Sequence, residues 1–154
     1  MSMNNPDEIR KLAHQRLKEA HILFENKMCD GAFYLAGYSV EMTLKAKICE
    51  RIGIPNLYDE SDKNVNSIKG VGEIRKFLKT HDLFTLLIFS GFKNQFDEAK
   101  AKDINLAKAN SLLFNSWNEK ARYKPCGHIR ESDVEKLITS LLNKEEIITW
   151  IEKN

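Results

Sequence analysis

Seven glycines and three prolines are all the dedicated turn residues in this chain of 154. Folds made of many short strands need a turn signal every ~8–12 residues, and too few are present here. Apolar residues instead recur three and four apart, the period of a helix that buries one face. Asn5-Pro6-Asp7-Glu8 reads as a helix start, with Asn as cap, Pro at the first helical position and acids in the first turn. Ile9, Leu12, Ala13, Leu17, Ala20, Leu23 and Phe24 then form one stripe on a helix of about six turns.

Asn26 to Asp30 is a short break, and Asp30 is placed to cap a second helix over about Gly31 to Ile52. That helix is apolar on most sides. Phe33, Ala36, Val40, Leu44 and Ile48 share a stripe, which Leu35, Met42, Ala46 and the rings of Tyr34 and Tyr38 widen. Such a helix is central, or faces a core and a partner at once. Glu41 and Lys45 stand one turn apart and can pair. Gly53 and Pro55 end the helix. The polar stretch from Asn56 to Gly72 is expected to be a mobile loop, about 54–72 at its widest. Thr80-His81-Asp82 opens a segment from Leu83 to Phe89, closed by Gly91. It is read as helix, because no second strand is in sight to pair with it. A fourth helix is expected over roughly Asp103 to Lys120, then a loop from Tyr123 to His128. The capping box Ser132-Asp-Val-Glu135 starts a last helix that runs through Ile151. The expected fold is all-α: one domain, 1–154, an antiparallel bundle of four or five helices.

At 42% hydrophobic and 30% charged residues, the composition is that of an ordinary folded domain. No apolar run approaches the ~18–20 residues of a membrane span. The start, Met1-Ser-Met-Asn-Asn, lacks the charged-then-apolar pattern of a secretory signal. Cys29, Cys49 and Cys126 are odd in number and contain no CxxC pair, so neither a disulfide framework nor a structural zinc site is expected. A reducing cytoplasm is the expected location. A net charge of +2 does not by itself imply nucleic acid. Its distribution is uneven, however. From Lys93 to Arg130 eight Lys or Arg face four acids, whereas from Glu131 to Asn154 three Lys face six.

No Gly-rich phosphate loop, HExxH or GxSxG is present, which removes the common nucleotide, zinc-protease and serine-hydrolase motifs. No metal or cofactor is expected. Of the four histidines, His14 and His21 lie off the first helix's main stripe and read as surface residues, and His81 reads as ordering a helix start. His128 differs. It sits in the Pro/Gly loop before the last helix, six residues after Arg122 and inside the basic stretch. Arg122 offers a planar fork suited to phosphate, and His128 can exchange a proton near neutral pH. Together these are the parts for cleaving RNA without metal, one group moving a proton and the other holding the phosphorane's charge. Arg16–His21 and Arg75–His81 have similar spacing, and placement singles out Arg122–His128.

The run Asp30-Gly-Ala-Phe-Tyr-Leu-Ala-Gly-Tyr-Ser-Val-Glu41-Met-Thr-Leu-Lys45-Ala resembles the second helix of HEPN-domain proteins. Arg16-Leu17 with Ala20, Thr80-His81-Asp82-Leu83, and Trp117 through Arg122-Tyr123 are also in the family's style. The resemblance covers nearly the whole chain outside about 54–72. It implies a small all-α bundle that forms a homodimer, and a metal-independent endoribonuclease of toxin–antitoxin or defence type. It also implies an active site of Arg122 and His128 doubled across the dimer, with Glu41 supporting the Arg from the second helix. A nucleotidyltransferase antitoxin is the kind of partner it implies. Two positions differ from the common pattern. Tyr123 follows the Arg where a small polar residue is usual, and Arg130 stands where many toxins carry a Tyr. A second reading therefore stands beside the first: a non-catalytic HEPN module that binds nucleic acid, a nucleotide or a partner protein. Tyr34 and Tyr38, one turn apart, could stack on bases or pack on a neighbouring helix or dimer mate, and packing is the favoured reading. Trp117 and Trp150 read as core or interface anchors. Cys126 has no neighbouring cysteine in sequence to resolve it.

Overall fold

The computed structural model describes residues 5–143 and 147–154. The described residues are all-helical, with no strand among them. Two long helices, α1 (Pro6–Glu25) and α2 (Cys29–Arg51), form an antiparallel hairpin. Shorter helices follow: α3 (Lys63–Asn66), α4 (Val71–Leu78), α5 (Leu83–Phe89), α6 (Lys93–Lys102) and α7 (Ile104–Phe114). A 3₁₀ turn (Glu119–Tyr123) leads to α8 (Glu131–Leu142), and α9 (Ile147–Lys153) ends the chain. No described helix is long and apolar enough to cross a membrane.

The expected start of α1 is present: the Asn5 side chain accepts from Glu8 N at 3.0 Å, and Pro6 opens the helix. Its stripe, Ile9, Ala13, Leu17 and Ala20, is buried against α2. The far end of α2 also closes as expected. Gly53 takes φ +72°, Ile54 N bonds to Cys49 O and Gly53 N bonds to Glu50 O. That pair of bonds is the Schellman closure, and it needs a left-handed residue. The same closure ends α1, where Lys27 occupies the left-handed position at φ +61°.

Helix α2 is the axis of the molecule. It packs against α1, α5, α8, α9 and the 3₁₀ turn, and residues on nearly all its sides are buried. Its buried hydroxyls bond within the helix, Ser39 to Ala36 O and Thr43 to Ser39 O.

Several boundaries depart from expectation. Helix α2 begins at Cys29, so Asp30 lies inside the first turn; its carboxylate accepts instead from Gly127 N at 2.7 Å. The stretch expected to be a mobile loop carries α3 and is knitted by Arg75. That buried side chain donates to Leu57 O, to Asn66 Oδ1 at 2.8 Å and to Asp59 O at 3.4 Å. The polar segment 93–102, for which no helix is expected, forms α6 around the single buried side chain Phe96. The fourth helix stops at Phe114, and Asn118 starts the 3₁₀ turn instead. Helix α8 starts at Glu131 with Arg130 as an extended cap, so the Ser132 capping box does not form. The expected last helix is two, because Asn143 is extended at φ −68°, ψ 127°.

Candidate functional site: the polar face of α2

Asp30, Tyr34, Tyr38, Glu41 and Lys45 follow one another at intervals of four, four, three and four, so they share one face of α2. The face extends about 22 Å along the helix. It is partly open at Asp30, Tyr34 and Tyr38 and buried at Glu41 and Lys45. Each sequence-predicted site residue lies along it, but at separate stations.

At the first station, the Asp30 carboxylate holds the 123–128 loop through Gly127 N. His128 Nδ1 lies 3.1 Å from Asp30 Oδ1 but off the line a hydrogen bond needs. Both ring nitrogens of His128 and that carboxylate oxygen are buried without a hydrogen-bond partner. The imidazole edge rests on Phe33, with ring centroids 6.3 Å apart. A general acid or base must reach the proton it transfers, and the nitrogens of His128 are covered. Cys29 and Cys126, distant in sequence, line one shallow cleft beside this loop.

At the second station, Trp117 lies across α2. Its indole N–H donates to Tyr34 O at 3.1 Å, and its ring stacks on Tyr34, which stacks on Tyr38, with centroids 6.3 and 6.0 Å apart. The tyrosines therefore pack intramolecularly and are half-buried, not an open apolar face. The 3₁₀ turn that follows Trp117 carries Arg122 into solvent, its guanidinium 4.8 Å from the ring centre of Tyr123. Tyr123 is 76% exposed. Lys120, Lys124 and Arg130 are exposed on the same connection. The neighbouring charge of Tyr123, and after it Tyr34, holds the Arg122 guanidinium above its already high ordinary pKa.

At the third station, Glu41 is completely buried. Its carboxylate accepts from Lys45 Nζ at 2.6 Å and from His81 Nδ1, 3.0 and 3.1 Å from its two oxygens. A buried carboxylate is costly unless paired and hydrogen-bonded, and these two donors meet the need. Among the described residues no hydrogen bond or ion pair joins Glu41 to Arg122; the partners of the carboxylate are Lys45 and His81. The Lys45 ammonium also lies 5.6 Å from the ring centre of Tyr58, whose hydroxyl donates to Leu78 O at 3.2 Å. Burial pushes the Tyr58 phenol well above its ordinary pKa, so it remains a donor.

Thr80-His81-Asp82 aims the imidazole. Asp82 N bonds to Thr80 Oγ1 at 3.0 Å, and the Asp82 carboxylate caps α5 through Phe84 N at 3.0 Å. The His81 side chain is 44% exposed. Tyr38 links the second and third stations. Its phenol pKa is raised by burial, then by Glu41 and Tyr34, against the opposing pull of Arg16 and Arg122. Sequence reading missed the Glu41–His81 pair; the available signal was an acid set in a helix apolar on most sides, which must find a donor.

Among the described residues no hydrogen bond or ion pair joins Arg122, His128 and Glu41 to one another, and no family model, curated protein or solved structure matches the chain.

Proposed function

We propose that this protein is a HEPN-type domain that binds single-stranded RNA on the face of α2 covered by Trp117 and the 3₁₀ turn. The observation that carries this reading is Arg122, exposed beside Tyr123 and interacting with Tyr34 of the Trp117–Tyr34–Tyr38 stack. A guanidinium fork suits phosphate, and aromatic faces take bases of any sequence. Lys120, Lys124 and Arg130 add the positive field that draws a polyanion. The buried nitrogens of His128 favour binding over cleavage by the Arg122–His128 pair. The same resemblance implies a symmetric dimer, for which light scattering at tens of micromolar is the measurement.

The test is fluorescence anisotropy with a labelled single-stranded RNA of mixed sequence. Arg122→Ala should weaken binding and reduce the slope of log K against log salt by about one. Tyr123→Ala should remove stacking worth ~1–3 kcal/mol. No binding by the wild type at low salt would discard the reading.

A further inference from the structure

We propose that Cys126 and Cys29 are a redox pair: peroxide oxidises Cys126, and Cys29 resolves it into a disulfide that ties the 123–128 loop to the start of α2. The proposal is independent of the RNA-binding reading and adds a modification site to the chain.

The tertiary fold makes the pair. Cys29 is the first residue of α2, and Cys126 lies in the loop ahead of α8. Gly127 N donates to the Asp30 carboxylate at 2.7 Å, so the residues that follow the two cysteines are bonded to each other. Both cysteines line one shallow cleft, with Met28 and Ile129 beside them. Cys126 is exposed and Cys29 half-buried, so a small reagent reaches both thiols. Gly127 takes φ +79°, and among the described residues no atom lies within 4 Å of where its Cβ would stand. Nothing packs there to hold the loop off α2. Cys49, by contrast, is enclosed in the core.

The two roles follow from the surroundings. Burial, and then the Glu131 carboxylate, push the Cys29 thiol above its ordinary pKa, against the pull of Lys27. The thiolate is the attacking form, so Cys29 is poorly suited to attack first. Exposed Cys126 meets the peroxide. Its sulfur bonds to one oxygen as the O–O bond breaks, which gives a sulfenic acid and water. The sulfur of Cys29, losing its proton, then bonds to the sulfur of Cys126 as the S–O bond breaks. The departing oxygen leaves as a second water. Together the thiols give up two electrons and two protons, and the peroxide is reduced to water. A small-molecule thiol reverses the bridge by exchange and is itself oxidised.

The experiment treats the full chain with a small excess of hydrogen peroxide, with and without dimedone, a trap for sulfenic acids. Intact mass, free thiols and cross-linked peptides are read. Wild type should lose the mass of two hydrogens, and its free thiols should fall from three to one. A peptide joining Cys29 to Cys126 should appear, and dithiothreitol should remove it. Cys29→Ser should stop at the sulfenic acid, with dimedone on Cys126. Cys126→Ser should form no bridge and consume peroxide at least ~10-fold more slowly, because its remaining thiols are the protonated ones. Neither side chain belongs to the buried core, and circular dichroism checks that both variants fold. Dimedone on Cys126 of the wild type to the same extent as on Cys29→Ser would place Cys29 out of reach and overturn the proposal. A bridge between two chains, a bridge to Cys49, or a wild type that leaves Cys126 unoxidised also overturns it.

Discussion

The indole of Trp117 lies against the backbone of Gly37, so closely that a methyl group on Gly37 would sit 2.2 Å from the ring. With the bond from its indole N–H to Tyr34 O, this contact fastens the segment that carries Arg122 onto α2. Gly37→Ala should raise helix propensity in α2 yet destabilise the protein by ~1–3 kcal/mol, because the indole must leave. Urea unfolding reads the loss, and Trp117 fluorescence should shift red in the folded variant. An unchanged midpoint would mean that the ring moves at no cost.

Lys27 holds a left-handed conformation that costs a side-chain-bearing residue roughly 1–2 kcal/mol. Lys27→Gly should remove that strain while losing only an exposed ion pair to Glu131 and some unfolded-chain entropy. The expected net gain is up to about 1 kcal/mol. A lower melting temperature would show that the ion pair outweighs the strain.

Arg75 ties three acceptors of the 57–66 segment to α4 from a buried position. Arg75→Ala should cost about 3 kcal/mol, since bonds from a charged donor are worth ~1.5–3 kcal/mol each and their loss leaves buried carbonyls unpaired. Limited proteolysis should then cut between 57 and 70, where the wild type resists. Equal resistance in the variant would show that Leu57 and Val65 alone hold the segment.

Burial pushes the Cys49 thiol up to about 12, whereas an unfolded thiol ionises near 8.5. Between these values the unfolded chain releases a proton that the native chain keeps. Stability should therefore be intact below about pH 8.5 and fall as pH rises toward 12, by at most ~1.4 kcal/mol per pH unit from this group. Tyr58, also raised by burial, acts in the same direction. Urea midpoints at pH 8 and pH 10.5 measure the fall, and Cys49→Ala should flatten it. At pH 8 a thiol reagent should label exposed Cys126 and spare Cys49 until the chain unfolds.

The fold class was legible because its signals are local. The Asn5–Pro6 start, the stripe of α1, the all-round apolarity of α2 and its Gly53 ending each act within a few residues, and each is in the structure. Helix α6 was not legible, because one buried side chain, Phe96, holds an otherwise polar segment. The capping role assigned to Asp30 failed for a related reason. A side chain that can cap its own helix can also bond elsewhere, and Asp30 meets Gly127 from ninety-seven residues away.

The sequence by itself determined that the chain is helical, that its second helix is apolar on most sides, and that Arg122 lies in a basic, aromatic connection. Period and composition suffice for those, since they depend on which residues follow one another. Tertiary structure alone decided which donors reach which acceptors. It buried the nitrogens of His128 beside Asp30, and it brought His81 across forty residues to Glu41. The reason is energetic: a carboxylate enclosed in an apolar helix must be met by donors, but only packing determines which of the chain's cations arrives.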